Sequence, residues 1–172
     1  DTTLKTISQG VLLTGPDRRI RSVNDAFMAI TGYSQAEILG QPCHFLQGPQ
    51  TDPQTVAAIR QCLENQVEFT GEILNYRKDG TCFWNDLTIS SVCDEHGSLT
   101  HYVGIIRDIT ERKQNQATLI SNELRFYTII DASPVPMGLN NDQQQIIFLN
   151  QAFVQTFGYM QAEIPTLEHW WT

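Results

Sequence analysis

An internal repeat constrains this chain more than any other sequence feature. The segment "IRSVNDAFMAITGYSQAEILG" (residues 20–40) aligns without gaps with "IIFLNQAFVQTFGYMQAEIPT" (residues 146–166). Asn24 matches Asn150, and the Gly-Tyr and Ala-Glu-Ile elements recur at the same offsets. The repeat predicts two copies of one structural unit. The alternative is a shared local motif, in which a strand is followed by a helix and a glycine turn.

The two copies differ in length. The first continues through residues 41–110, whereas the second ends at Thr172. We therefore expect a first domain over residues 1–110, a connector over 111–130, and the N-terminal half of a second domain over 131–172. The chain lacks an initiator methionine, so we expect it to be a piece of a longer protein. Apolar side chains of the second copy, including Trp170 and Trp171, would then pack on a partner or remain loosely ordered.

Composition narrows the classes of function. The net charge is -8, with no run of five basic residues, which argues against nucleic-acid binding. No apolar stretch is long enough to cross a membrane, and the N-terminus lacks the apolar core of a signal peptide. We expect a cytoplasmic protein with no membrane or nucleic-acid partner. Its four cysteines lack zinc-site spacing and are expected to be free thiols in the reducing cytosol: Cys43, Cys62, Cys82 and Cys93.

Capping signals and hydrophobic periods predict an α+β fold. Strands over 11–13 and 20–23 precede a helix that Asn24 caps, and Ser34 with Glu37 forms a capping box. Asp52-Pro53 opens a longer helix that ends near Asn65. Three long strands, over 68–77, 81–92 and 99–109, are joined by hairpins, which makes the sheet antiparallel with the helices on one side. A C-terminal connector helix over 111–130 is partly apolar and favours pairing with a second copy, as in a homodimer.

The first hairpin places two amides in an apolar row. If Lys78-Asp79-Gly80 is a three-residue loop, one face carries Ile73, Asn75, Phe83, Asn85, Leu87 and Ile89. Buried amides without partners are costly, so each asparagine either bonds loop backbone, faces solvent in another register, or binds a ligand. A planar ligand with alternating donors and acceptors along one edge would satisfy both amides.

Cys43 begins a short predicted helix. Pro42 suits the first helical position, and a thiol near a helix N-terminus is favoured as thiolate. Gln47, four residues on, would share its helix face. The alternative is that Cys43 is a small core residue, since free cysteine is often buried. We expect the other three cysteines to be structural.

Three motifs together resemble a LOV domain, the flavin-binding, blue-light-sensing branch of the PAS family. They are Gly40-x-x-Cys43-x-Phe45-Leu46-Gln47, "NYRKDGTCFWN" (residues 75–85) and "YVGIIRDITER" (residues 102–112). The resemblance covers about Ile7 to Arg112. The second unit, from about Asn122, resembles the start of an ordinary PAS domain and has no counterpart of Cys43.

The resemblance implies a PAS/LOV fold, with a five-stranded antiparallel sheet that holds FMN against short helices. Blue light would excite the flavin, and the Cys43 thiol would add reversibly to its C4a carbon. Further contacts implied by the family are Asn75 and Asn85 to the polar ring edge, Gln47 to the ribityl chain, Arg60 to the phosphate, and Leu87 and Phe83 beside the ring.

Three positions depart from the family pattern. Pro42 removes a side-chain amide that helps to hold the ribityl chain. His44 replaces an arginine that pairs with the phosphate, and histidine is mostly neutral near pH 7. Ile106 stands where the family has a glutamine that bonds flavin N5 and O4 and passes the signal to the sheet.

The expected function is a non-enzymatic blue-light photoreceptor module that passes its signal through the last strand and connector helix to an effector outside this chain, with relay altered by Ile106. The alternative is a light-insensitive PAS module for dimerisation or small-ligand sensing. A flavin-dependent redox enzyme ranks last, because the chain has no Gly-x-Gly-x-x-Gly stretch and no convergent acid–base set.

Overall fold

A computed structural model describes residues 9–168 of the chain. Ile7, Trp170 and Trp171 lie outside the described residues. The chain divides into two compact units, Asp1–Gln114 and Asn115–Thr172.

The first unit is a five-stranded antiparallel sheet with helices, which confirms the α+β prediction. The strands lie in the order β2-β1-β5-β4-β3, so β5 occupies the centre. The elements are β1 (Gly10–Thr14), β2 (Ile20–Val23), α1 (Asp25–Thr31), α2 (Gln35–Ile38), a one-turn 3-10 helix (Cys43–Leu46), α3 (Pro53–Glu64), β3 (Phe69–Tyr76), β4 (Cys82–Cys93) and β5 (Leu99–Asp108).

The predicted caps set the helix ends. The amides of Val11 and Phe27 both donate to Asn24 Oδ1, at 2.8 and 2.9 Å, which ties β1 to the start of α1. The Ser34–Glu37 capping box opens α2. Asp52 caps α3 and accepts from two backbone amides of its first turn.

The hairpin between β3 and β4 has the predicted loop. Gly80 adopts a φ of 84°, and the amide of Arg77 donates to the Thr81 carbonyl at 2.8 Å. The register pairs Ile73 with Asn85 and Asn75 with Phe83. The odd-numbered residues therefore share one face of the sheet, as the loop length predicted.

Apolar side chains from the sheet and the helices meet on that face. One cluster centres on Phe27 and Phe83, which are fully buried, and includes Ile20, Ile38 and Ile106. A second cluster joins α3 to β3 through Ile59, Phe69 and Ile73. The helices thus cover one side of the sheet and leave its polar pair, Asn75 and Asn85, inside.

A long helix, α4 (Thr110–Asp131), begins in the first unit and continues into the second. Several large apolar side chains on it are exposed: Leu119, Ile120, Leu124, Phe126 and Ile129. Among residues 9–168, no helix is both long and apolar enough to span a membrane.

The second unit repeats the local geometry of the first. Its remaining elements are β6 (Gly138–Asn140), β7 (Ile146–Leu149) and α5 (Gln151–Phe157). Asn150 caps α5 as Asn24 caps α1, and Gly158 ends α5 with a φ of 79°, close to the 76° of Gly32. The gapless sequence repeat is therefore a repeat of structure, from the second strand through the helix that follows.

Asn150→Ala is expected to destabilise the second unit. The side chain of Asn150 is fully buried, accepts from the Met137 and Phe153 amides at 2.8 and 3.0 Å, and donates to the Ile130 and Val135 carbonyls. Removing it should lower the free energy of local unfolding by about 2–3 kcal/mol, measured by hydrogen exchange of the α5 amides.

Asn140→Ala is the matched control, because Asn140 is exposed and, in the part of the chain that the structure describes, its side chain donates only to the Asn141 carbonyl. A change in α5 protection no larger than that of this control would contradict the role of Asn150.

Candidate functional site

A cavity of about 390 Å³ lies in the first unit between the sheet and the helical side. This volume falls in the range of small-molecule sites, roughly 300–1,000 Å³. Its apolar lining comes from the sheet and the helices alike: Leu12, Ile73, Leu87, Ile89, Ile106, Leu46, Val56, Ile59 and Leu63. Leu87 and Ile106, two of the predicted flavin contacts, are among its lining residues.

Two buried asparagines give this apolar cavity its polar edge. Asn85 Nδ2 donates to Asn75 Oδ1 at 2.9 Å, and Asn75 Nδ2 donates to the Leu46 carbonyl at 3.2 Å. Burial of both residues excludes the alternative of a solvent-facing register. For Asn75, the hydrogen bond to the Leu46 carbonyl agrees with the alternative in which the side chain bonds backbone outside the sheet.

One acceptor remains open at this edge. Among the described residues, Asn85 Oδ1 is the buried side-chain polar atom without a hydrogen-bond partner. A buried acceptor left unpaired costs about 1–3 kcal/mol. A ligand that donates an N–H from within the cavity would recover that free energy.

Cys43 lines the cavity, but its predicted ionisation is wrong. Desolvation by the surrounding protein raises the pKa of its thiol from 9.0 to about 11, although the residue as a whole is exposed. Pro42 is the N-cap and not the first helical residue, and the 3-10 helix is a single turn. Its dipole is too small to offset burial, so the thiol stays protonated at neutral pH. The Sγ lies 3.8 Å from the Arg18 carbonyl oxygen.

Gln47 also lines the cavity, although the predicted helix face that it would share with Cys43 does not form. The 3-10 helix ends at Leu46, and Gln47 is its extended C-cap.

The charged and polar lining contains residues that sequence reasoning found and residues that it missed. Arg60 and His44, both predicted at the phosphate end of a flavin, are among the lining residues. Arg18, in the β1–β2 turn, also lines the cavity, but it was not predicted from the sequence. The turn sequence "GPDRR" does not indicate which distant segment it contacts. Thr14 and Tyr102 were missed as well; the Tyr102 hydroxyl donates to the Leu63 carbonyl at 3.1 Å.

Phe83 lies in the core and not in the cavity wall. It is fully buried, and the Arg77 guanidinium carbon sits 4.7 Å from its ring centroid. It shares the face of Asn85, but it stands at the turn end of the hairpin and packs under α1 with Phe27. The structure places Phe83 in the core, and its packing beside a ligand stays a prediction.

Family models for "PAS domain" match the chain twice, at residues 8–111 and 124–171. Phototropin-1A of Oryza sativa subsp. japonica is 40% identical over 119 residues, which cover 67% of this chain and 13% of that protein. A blue-light photoreceptor of Listeria monocytogenes is 44% identical over 115 residues, or 65% of this chain and 45% of that protein. The chain thus spans less than half the length of these relatives.

Solved structures give the same result for the fold. The dark structure of the blue-light photoreceptor Aureochrome1 LOV is 38% identical, has a TM-score of 0.58, and is matched over 68% of this chain and 85% of that one. A LOV domain studied with a flavin analogue is 37% identical, with a TM-score of 0.59 over 68% of this chain and 88% of that one.

The five-stranded antiparallel sheet, the cavity beside it and these similarities agree with one another. The chain belongs to the PAS domain family, and its first unit is a LOV/PAS domain.

Proposed function

We propose that the first unit binds a flavin, specifically FMN, in the cavity of the sheet. The observation that carries this is the unpaired Asn85 Oδ1 at the edge of an otherwise apolar cavity. A flavin ring is planar and apolar over most of its area, with N–H and carbonyl groups along one edge. Asn85 and Asn75 would bind that edge, Leu87 and Ile106 would pack on the ring, and Gln47 would hold the ribityl chain.

This domain is a blue-light photoreceptor module in which Cys43 is the reactive residue. A bound flavin absorbs blue light and, once excited, is open to addition of a thiol at C4a. Cys43, in the cavity wall, would supply that thiol to a bound flavin, and its proton would end on the ring. The other three cysteines are not among the residues that line the cavity.

The signal leaves through the junction of β5 and α4. Ile106 on β5 cannot hydrogen-bond to a ligand, so a route independent of residue 106 is needed. Asn85 pairs in register with Asp108, whose Oδ1 accepts from the Thr110 amide at 2.9 Å at the start of α4. The Ile109 amide donates to the Trp84 carbonyl at 2.9 Å, one residue from Asn85.

Two further contacts hold the first turn of α4 on the outer sheet face. Lys113 Nζ lies 4.7 Å from the Trp84 ring centroid, and Glu72 forms ion pairs with Arg112 and Lys113. Hydrogen bonding from Lys113 is the first cause of the lowered pKa of Glu72. Trp84 is the residue of β4 next to Asn85, and it contacts both Ile109 and Lys113. A change at Asn85 therefore reaches the connector helix through Trp84.

Beyond this junction, the exposed apolar side chains of α4 favour pairing with a second copy of the chain. One solved neighbour, 29% identical, is a light-state dimer of the fungal blue-light photoreceptor Vivid. The module is non-enzymatic and cytoplasmic, and it acts on an effector outside residues 1–172.

A light-insensitive PAS module for dimerisation or small-ligand sensing is the second candidate. Ile106 favours it, because this residue gives the central strand no hydrogen bond to a flavin. Pro42 and His44 also favour it. They replace the family's asparagine and arginine, and so remove a side-chain amide for the ribityl chain and a permanent positive charge for the phosphate.

Cys43→Ala is expected to abolish the light response while flavin binding persists. The purified protein, incubated with FMN, should lose its blue absorption band under blue light and recover it in the dark. The variant should carry equal flavin and show no change, because the nucleophile is missing.

Cys82→Ala is the matched control, since Cys82 is exposed and does not line the cavity. Reversible bleaching in Cys43→Ala would contradict the role of this thiol. A chain that takes up no FMN would support the second candidate.

Alkylation of Cys43 by iodoacetamide is expected to be slow until the pH approaches 11. With a pKa of about 11 in place of 9.0, the thiol holds about 100-fold less thiolate at neutral pH, and thiolate is the reactive form. Mass spectrometry of the flavin-free protein measures the rate, with the urea-unfolded chain as control. Equal rates in the folded and unfolded chains at pH 7 would contradict the raised pKa.

Blue light is expected to change hydrogen exchange in residues 105–114 of the flavin-loaded protein. In the dark, Glu72→Gln should raise exchange of residues 110–114 by about 2- to 5-fold, because the variant loses the exposed ion pairs that hold the first turn of α4. Glu68→Gln is the control, because Glu68 bonds Ser90 and not α4. Exchange that is identical in light and dark would rule out relay through this junction.

A further inference from the structure

Arg18 is fixed beside the segment that carries Cys43 and His44. Its carbonyl oxygen lies 3.8 Å from Cys43 Sγ, and its neighbour Arg19 forms an isolated β-bridge with Pro42. The next amide, of Ile20, donates to the Gln41 carbonyl at 3.0 Å. The β1–β2 turn is thus bonded to the residues that open the 3-10 helix, and Arg18 is the turn's charged residue in the cavity lining.

The positive charge of Arg18 has no partner within residues 9–168. Its side chain takes part in none of the ion pairs or hydrogen bonds of that part of the chain, and the same holds for Arg60. Asp17, the nearest carboxylate in sequence, pairs with Arg21 at 2.9 Å. Within residues 9–168, no aspartate or glutamate lines the cavity. Arg18 is half-buried, whereas Arg60 is exposed.

The second unit shows which part of this feature belongs to the turn. Arg18 has a φ of 60°, and Gln144, at the matching position of the repeat, has the same φ. The left-handed backbone is therefore set by the turn in both units and does not mark a ligand. What differs is the side chain: a guanidinium in the unit with the cavity and an amide in the other.

We propose that Arg18 binds the phosphate of the flavin nucleotide together with Arg60, and so sets the preference for FMN over riboflavin. This assignment rests on the flavin-binding function proposed above. Half-burial next to a low-dielectric cavity strengthens a charge-assisted bond to a dianion, and the planar guanidinium suits two phosphate oxygens. Arg18 thereby places a permanent positive charge beside His44, where a histidine does not provide one.

Affinities of FMN and riboflavin, measured by flavin fluorescence quenching on the flavin-free chain, test this role. Arg18→Gln is the chosen variant, because Gln144 shows that glutamine fits this turn. It should weaken FMN binding by about 10- to 100-fold, the worth of a charge-assisted pair, and riboflavin binding by less than about 2-fold. Arg18→Lys should fall between Arg18→Gln and the parent chain for FMN, since it keeps the charge and loses the planar fork.

Arg107→Ala is the charge-matched control, because Arg107 is exposed and does not line the cavity. It should leave the FMN-to-riboflavin ratio unchanged. A ratio unchanged in Arg18→Gln, or an equal loss of both ligands, would overturn the assignment of Arg18 while flavin binding by the parent chain stands. Failure of the parent chain to bind either flavin would overturn the proposed function itself.

Discussion

The hydrogen bond between the two buried asparagines is the contact on which the candidate site depends. Asn85 Nδ2 is satisfied by Asn75, and Asn75 in turn by the Leu46 carbonyl, so the pair joins the sheet to the 3-10 helix that carries Cys43. This arrangement leaves Asn85 Oδ1 without a hydrogen-bond partner inside an apolar cavity, which is destabilising. A fold that retains this acceptor is less stable empty than with a ligand that donates to it.

The hairpin loop fixes where this pair stands. With three loop residues and Gly80 in the left-handed conformation, the odd residues of β3 and β4 share the inner face. A slip of β4 by one residue would move Asn85 to the outer face and bring Trp84 inward. The loop thus connects a local sequence signal to the chemistry of the cavity.

Local signals allowed most of the fold to be predicted, and long-range contacts account for what was missed. The helix caps of Asn24 and Asp52 and the turn at Gly80 involve neighbours a few residues away, so these features can be predicted from the sequence. The placement of Arg18 depends on a bridge between residues far apart in the chain, which no local pattern encodes. The protonation of Cys43 was wrongly predicted because burial, a tertiary property, outweighs the dipole of a one-turn helix.

The most direct measurement is a light-minus-dark infrared difference spectrum of the flavin-loaded chain in the S–H stretching region. We predict that illumination removes one S–H band and that the dark restores it, because Cys43 is protonated before it reacts; the band change should vanish in Cys43→Ala. Reversible bleaching of the flavin with every S–H band unchanged would contradict a reaction at this thiol.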